Sequence, residues 1–455
     1  MVSKPTTGTF THPETKYAPS RPDTCGDFEI AVICALPLEA DAVLALFDSD
    51  WDNDDQPYNT LPGDPNAYTT GAMGRHNIVL VHMPEPGKVN AATVASNCRA
   101  SFPNIKLAIL VGICGAVPFD TNGNEIVLGD VIISDSVVEY DLGRQFPDHF
   151  IRKNTLADSL PRPSSKIRST IAKLRTHKLA QKLQNGVAKY LDVLLSQSML
   201  EAQYPGMEYD KLFDANYHHA AEARSCEKAG CITGPLVLRK RLEQTTPPQP
   251  SVHIGLIASG DTVMRSGKQR DLIAQKEGAL AFEMESAGIW DTFPSVVIKG
   301  VCDYADSHKT KLWQRYAAAT AAACLKAFLE IWAPSMPSAE FRPELIKQST
   351  DPWYSSRVTM ARDASNCERE PQRTQHTTGS RNTRHGDNRP TSRHEITKLR
   401  CLRCDLTNHL LKDCYAGDRT VERGRLNRMN SGRCYWCGEE GHWQDDCPKL
   451  RGREY

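Results

Sequence analysis

Two quartets of metal-ligating residues stand near the C-terminus of this 455-residue chain. Cys401, Cys404, His409 and Cys414 follow C-x2-C-x4-H-x4-C, and Cys434, Cys437, His442 and Cys447 repeat the pattern with every ligand shifted by 33 residues. Three thiolates and one imidazole complete a tetrahedral Zn²⁺ site, and segments this short have no adequate core without the ion. A second chemistry is carried by carboxylates beside apolar runs: Glu39 after FEIAVICAL, Glu283 and Glu285 closing ALAFEME, and Asp303 after SVVIKGVC. A carboxylate at the end of an apolar run is costly unless it binds something.

The repeated pattern resembles the CCHC zinc knuckle of nucleic-acid-binding and retroviral-type proteins, and implies two Zn²⁺ ions, one in each of residues 399–415 and 432–449. In the second copy Gly438 and Gly441 supply tight turns. Tyr435 and Trp443 occupy the positions where the family stacks on unpaired bases, so this copy is expected to bind single-stranded RNA or DNA. The first copy carries Leu402 and Leu410 there, with Asp405 and Asn408 in place of the glycines, which fits zinc binding better than base stacking. Arginines around the repeats, among them Arg400, Arg403, Arg425 and Arg433, would add salt-sensitive phosphate contacts. The competing reading is a protein-contact module.

The elements that must position the carboxylates are legible upstream. Val-, Ile- and Leu-rich runs at 28–36, 77–83, 106–112, 130–138, 252–259, 279–285 and 295–302 read as strands, mostly apolar on both faces and therefore covered on both sides. Helical stretches are expected at 38–47, 88–101, 164–202 with breaks, 266–277, 285–292 and 311–332, the last rich in Ala. Such alternation is the signature of an α/β layered domain. Residues 199–250 interrupt the rhythm as an insertion carrying His218, His219, Cys226 and Cys231. A Cys-x4-Cys with nearby histidines has zinc chemistry, but the spacing is loose, and the segment reads as structure or a lid.

Four segments then combine: ICALPLEAD (33–41); LVGICGAVP (110–118) leading to LGDVIISD (128–135); IASGD (257–261) with AFEMESAG (281–288); and VCDYADSHKTKLWQ (301–314). Together they resemble the nucleoside phosphorylase/nucleosidase superfamily over about residues 28–333, and most of all the nucleosidase-type module of fungal multidomain proteins. The resemblance implies a three-layer α/β sandwich with a central mixed sheet covered by helices, a homo-oligomer, a nucleoside or nucleotide substrate, and no cofactor in the catalytic domain. Cleaving an N-ribosidic bond needs a base for water, anchors for the sugar hydroxyls and a proton donor for the leaving base. Glu39 matches the acid that activates water, Glu285 the carboxylate that holds the ribose, Met284 the residue packed on the sugar, and Asp303 the aspartate that protonates the purine. Ser259 and Gly260 of IASGD are expected to bind substrate, and Asp306 to cap the helix that begins near Thr310. Asp303 would have to be protonated at the start of the reaction, by burial at its strand end.

Departures from the family narrow the chemistry. Phosphorylases hold phosphate with an arginine before the Gly-rich turn and a Ser or Thr inside it, where this chain has Leu110 and Ile113. Hydrolysis is therefore favoured over phosphorolysis. The base-stacking aromatic after SGD is replaced by Thr262 and Val263, and Arg144 is a candidate for a 5′-phosphate. The alternatives are a phosphate-dependent phosphorylase and a non-catalytic nucleoside-sensing module.

Composition sets the frame. The 55 Lys and Arg balance 55 Asp and Glu, yet 20 of the basic residues and only 15 of the acidic ones fall between Asp351 and Tyr455, leaving a basic tail and an acidic front. Residues 1–26 read as a flexible leader, 27–334 as the large domain, and 335–398, rich in Arg, Ser, Thr, Asn and Pro, as a disordered linker. No apolar run approaches the ~20 residues that span a bilayer, and the polar N-terminus has no secretory h-region. Cys34, Cys98, Cys114, Cys302 and Cys324 lie inside apolar runs, as reduced core thiols do, so an intracellular protein, cytoplasmic or nuclear and away from membranes, is expected.

Overall fold

The computed structural model describes residues 19–52, 58–219, 226, 228–231 and 234–333. The linker at 335–398 and both cysteine-histidine repeats lie outside the described residues, as does the leader up to residue 18. Residues 19–26, expected to belong to that leader, are instead packed on the domain. Cys25 is buried, Thr24 caps a short turn through Asp27, and the Arg21 guanidinium lies 5.0 Å from the Tyr58 ring centroid.

Nine strands form one mixed sheet. In chain order they are β1 (Ile30–Cys34), β2 (Ser49–Asp50), β3 (Ala67–Met73), β4 (His76–His82), β5 (Leu107–Ala116), β6 (Val131–Glu139), β9 (Val252–Ser259), β10 (Ala279–Glu283) and β11 (Ser295–Asp303). A separate exposed hairpin pairs β7 (Gly143–Gln145) with β8 (Phe150–Arg152). Across the sheet the order is β10-β9-β6-β11-β5-β1-β4-β3-β2, and β10 also pairs antiparallel with β5 through Ala281–Ala116 and Phe282–Gly115. That extra pairing closes β5, β11, β6, β9 and β10 on themselves, so the strand ends that carry charge face a common space. β3, with its Thr, Gly and Ala, has no long apolar run and escapes a pattern search.

The helices follow their sequence signals. They are α1 (Pro37–Leu44), α2 (Lys88–Ser101), α3 (Ser165–Leu174), α4 (His177–Leu195), α5 (Gly267–Glu277), α6 (Ser286–Ile289) and α7 (Gln314–Ile331). Ser164 and Ser266 cap α3 and α5 through their side chains. α7 is buried almost all round because it lies between the strands β5, β6 and β11 and the helices α1 and α4, which is where its run of alanines permits close packing. Asp306 caps no helix: its carboxylate accepts from the His308 N–H at 2.8 Å within the loop, and α7 begins later, at Gln314.

Among its described residues the 199–250 insertion holds short 3-10 turns, and it is pinned to the loops that follow β5 and β11. Asp210 accepts from the Leu128 N–H at 2.9 Å and from the Tyr304 hydroxyl at 2.7 Å. Buried Arg239 donates to the carbonyls of Pro118 and Ile126, and Arg241 pairs with buried Asp130. Among the described residues no helix is long and apolar enough to cross a membrane.

Candidate active site

Glu39 sits at the third position of α1, directly after β1. Its Oε2 accepts the backbone N–H groups of Ala35 and Leu36, both at 2.9 Å, and its Oε1 accepts that of Ile113 at 2.8 Å. The first-turn position does what a helix-capping acid does. It also presses the carboxylate against β5, where a Cβ on Gly112 would collide with Oε1, so only glycine leaves room. The segment LVGICGAVP is thus not a turn: both glycines lie inside β5, and Gly115 likewise clears Asp303, 2.6 Å from where its Cβ would be.

Beside this carboxylate stands a buried cluster of like charges joined by one cation. Lys299, in the middle of β11 and 1 % exposed, donates to Glu285 Oε2 at 3.0 Å and lies 3.8 Å from Glu283 Oε2. Burial alone would lower the pKa of the ammonium, but Glu285, Glu39 and Glu283 reverse that and raise it. Burial raises the Glu39 carboxyl above its ordinary value, with Lys299 opposing and Glu285 reinforcing the shift. Glu283 is raised by the same causes.

The two glutamates of AFEMES have different tasks. β10 ends at Glu283, so Glu283 and Glu285 do not alternate along one strand. Glu283 folds the turn, accepting from the N–H groups of Glu285 and Ser286 and from the Ser286 hydroxyl at 2.6 Å. Glu285, at the start of α6, turns its carboxylate to the cavity wall and accepts there from Lys299.

The cavity has a volume of about 350 Å³, and Glu39, Met284, Glu285 and Asp303 all line it. Asp303 ends β11 after a bulge at Cys302, which re-aims the final residue of the strand. Its Oδ1 accepts from the Ala305 N–H at 2.8 Å and lies 3.3 Å from Lys309 Nζ. Thr262 and Val263 border the cavity as the sequence places them, while the aromatic surface comes from Tyr140 and Phe282, packed edge to face at 5.6 Å.

Ser259 and Gly260 are not on the wall. The Ser259 hydroxyl is wholly buried and accepts the Ala287 N–H at 3.0 Å, and Gly260 lies against Tyr140 and Asp141, so both support the Glu283 turn from behind. Arg144 is on the exposed hairpin and does not line the cavity. Sequence reasoning missed Lys299 and Lys309. A lysine in the middle of the otherwise apolar run SVVIKGVC was the available signal for the first. Nothing in the sequence pattern marks the second.

Known proteins resemble the chain at several levels. A 316-residue stretch is 33% identical to a nucleotide-binding leucine-rich repeat (NLR)-like protein of Hyaloscypha variabilis, over 68% of this chain and 30% of that protein, so the chain spans under a third of that relative. Among solved structures, a Streptococcus pneumoniae MTA/SAH nucleosidase in complex with 8-aminoadenine is similar at 19% identity and a TM-score of 0.42, over 67% of this chain and 100% of that one. Futalosine hydrolase of Helicobacter pylori is similar at 16% identity and a TM-score of 0.41, over 67% and 97%. The zinc-knuckle family model matches residues 432–449, the second of the two repeats. The phosphorylase superfamily model matches residues 29–330, more than half of the chain and every residue that lines the cavity, and the chain belongs to the phosphorylase superfamily.

Proposed function

We propose that the domain is a purine-type nucleosidase, an N-ribosyl hydrolase acting on a nucleoside or nucleotide, joined to a zinc-dependent tail that binds single-stranded nucleic acid. The observation that carries the reading is the convergence of Glu39, Glu285 and Asp303 on one cavity, with Lys299 beneath the first two. Glu39 takes the proton of the water that attacks C1′. Its raised pKa brings it nearer to neutrality, where a general base works best. Glu285 accepts the ribose hydroxyls and Met284 packs on the sugar. Protonation of the leaving base runs through Asp303, with the Lys309 ammonium 3.3 Å away as a second proton carrier on the same wall.

Hydrolysis is preferred to phosphorolysis because the phosphate positions are filled otherwise. Leu110 is buried in the sheet, and the Ile113 N–H is committed to Glu39. In phosphate-free buffer the protein is expected to release free base from at least one member of a panel of adenosine, inosine, methylthioadenosine and their 5′-phosphorylated forms, followed by chromatography. Release that requires added phosphate would transfer the assignment to a phosphorylase. A second reading, a nucleoside-sensing module without turnover, is favoured by the Asp303–Lys309 ion pair and by Thr262 and Val263 at the base position. Calorimetric binding of a panel member with no product would select it.

For the tail, stacking by Tyr435 and Trp443 is proposed to dominate single-strand affinity, with one Zn²⁺ held by Cys434, Cys437, His442 and Cys447 and a second by Cys401, Cys404, His409 and Cys414. Replacing Tyr435 and Trp443 together by Ala is expected to cost about 1–3 kcal/mol per stacked base, with zinc content unchanged because neither is a ligand. Fluorescence anisotropy of the full chain with a labelled oligonucleotide at two salt concentrations reads the loss. Unchanged affinity in the double variant would leave the arginines as the sole source of binding.

A further inference from the structure

His219, Cys226 and Cys231 are scattered in the insertion, yet their ligand atoms all lie within 4.8 Å of one another. The Cys231 Sγ to His219 Nδ1 distance is 3.6 Å. In a tetrahedral zinc site with bonds of ~2.3 Å to sulfur and ~2.0 Å to nitrogen, neighbouring ligand atoms stand about 3.5–3.8 Å apart, so the cluster needs only small side-chain movements to close on an ion. A backbone turn sets the spacing: the Cys231 N–H donates to the Cys226 carbonyl and the Gly234 N–H to that of Cys231, each at 2.9 Å. His218, the adjacent histidine, is exposed and outside the cluster.

A second, independent feature points at the same place. His308, on the loop after β11, has a side chain only 3 % exposed, and neither of its ring nitrogens has a hydrogen-bond partner among the described residues. Its ring is parallel to that of His219, with centroids 5.7 Å apart. Its Nδ1 lies 3.9 Å from Asp306 Oδ1, beyond hydrogen-bond reach, and an imidazole buried without hydrogen bonds is costly and asks for an explanation such as an ion or water beside it. His219, Cys226 and His308 line a cavity of about 720 Å³, and that cavity shares Cys302, Asp303, Lys309 and Thr310 with the candidate active site.

We propose that His219, Cys226 and Cys231 bind one Zn²⁺ ion, with the fourth position open toward His308, and that the ion ties the insertion to the loop carrying Asp303. The tie has a ready backbone counterpart, since the His219 N–H donates to the Ser307 hydroxyl at 2.9 Å. Two thiolates and one imidazole form a donor set that favours Zn²⁺ over hard cations, which prefer oxygen. The role is structural: among its described residues the insertion has short 3-10 turns and one isolated bridge between Phe213 and Leu236, and a metal cross-link fixes irregular chain where a core cannot. This site shares no ligand with either C-terminal repeat and does not depend on the domain's reaction.

The test uses the full chain with all six repeat thiols silenced by C401S, C404S, C414S, C434S, C437S and C447S, so that neither repeat can hold a thiolate-bound ion. After purification with zinc and dialysis, elemental analysis is expected to find one zinc per chain. H219A and the pair C226S/C231S should each remove it. Cobalt in its place should give a thiolate-to-metal charge-transfer band that both variants lose. Chelation should accelerate amide exchange in residues 211–219 and 234–242 while β1 and β5 stay protected. Absence of zinc from the silenced parent overturns the proposal with no reliance on the folding of any variant at the site, as does zinc that persists in C226S/C231S. A disulfide between Cys226 and Cys231 in the reduced-buffer preparation, read by mass spectrometry, overturns it equally.

Discussion

Lys299→Met is expected to destabilise the large domain by about 3–5 kcal/mol at neutral pH, the cost typical of removing one partner from a buried ion cluster. The methionine fills nearly the same volume, so packing is kept and the charge alone is lost. Glu285 would lose its 3.0 Å ion pair, and Glu39 and Glu283 the cation that now opposes the effect of burial. The direction with pH follows from those shifts. Glu39 and Glu283 already have folded-state pKa values above the ordinary 4.5, so their ionisation opposes folding as pH rises from about 4.5 through the folded values, and the variant pushes those values higher still. The stability gap between parent and variant should therefore be small near pH 4.5 and widen toward pH 8. Urea unfolding at several pH values measures it. A gap that is constant with pH, or near zero throughout, would show that the lysine is not the counter-ion of these carboxylates. Lys299→Arg should restore most of the loss only if the larger fork fits a site that is 1 % exposed.

The strands that build the site were legible because a sheet covered on both faces leaves uninterrupted Val, Ile and Leu runs, as β1, β5 and β11 do. Glu39, Glu285 and Asp303, with Met284 between the glutamates of AFEMES, were legible only jointly, since each carboxylate alone reads as a helix-cap acid or a solvated strand end. Interactions between distant segments were not. The closure of β10 onto β5 and the insertion's grip on the loops after β5 and β11 depend on tertiary geometry that no local pattern encodes. The misplacement of Ser259 has the same origin. A hydroxyl at a strand end looks like a ligand group, but here the next chain segment brings the Ala287 N–H to it first. Gly112 and Gly115 invite a turn reading because glycine usually marks one. Their actual role, making room in a strand for two carboxylates from other elements, is visible only when those elements are in place.

Glu39→Gln is expected to lower kcat/KM for base release by about 10²–10⁴, the usual contribution of a general base, while leaving substrate binding largely intact. The amide matches the carboxylate in shape, and its oxygen can still accept the N–H groups of Ala35 and Leu36. The nitrogen would face the Ile113 N–H, so one hydrogen bond is lost. Two readouts separate a catalytic role from the capping role that the same side chain performs. In the parent, the rate should rise with pH through the ionisation of Glu39, with its midpoint above the ordinary glutamate value because burial raises it, and this limb should vanish in the variant. Stability should move the other way. A carboxyl with a raised folded-state pKa makes the parent lose stability as pH rises through that value, and the neutral amide does not, so the variant should gain relative to the parent between about pH 5 and pH 8. Single-turnover rates and thermal unfolding, each followed across that range, give both answers from one pair of proteins. A variant that keeps the parent's rate and pH limb leaves Glu39 as a helix cap alone, and the attacking water must then be activated by another group on the cavity wall, Glu285 being the nearest carboxylate by role. A variant that loses rate only in proportion to lost stability points to the same conclusion, because a base removed from a folded site depresses the rate at temperatures where parent and variant are equally folded.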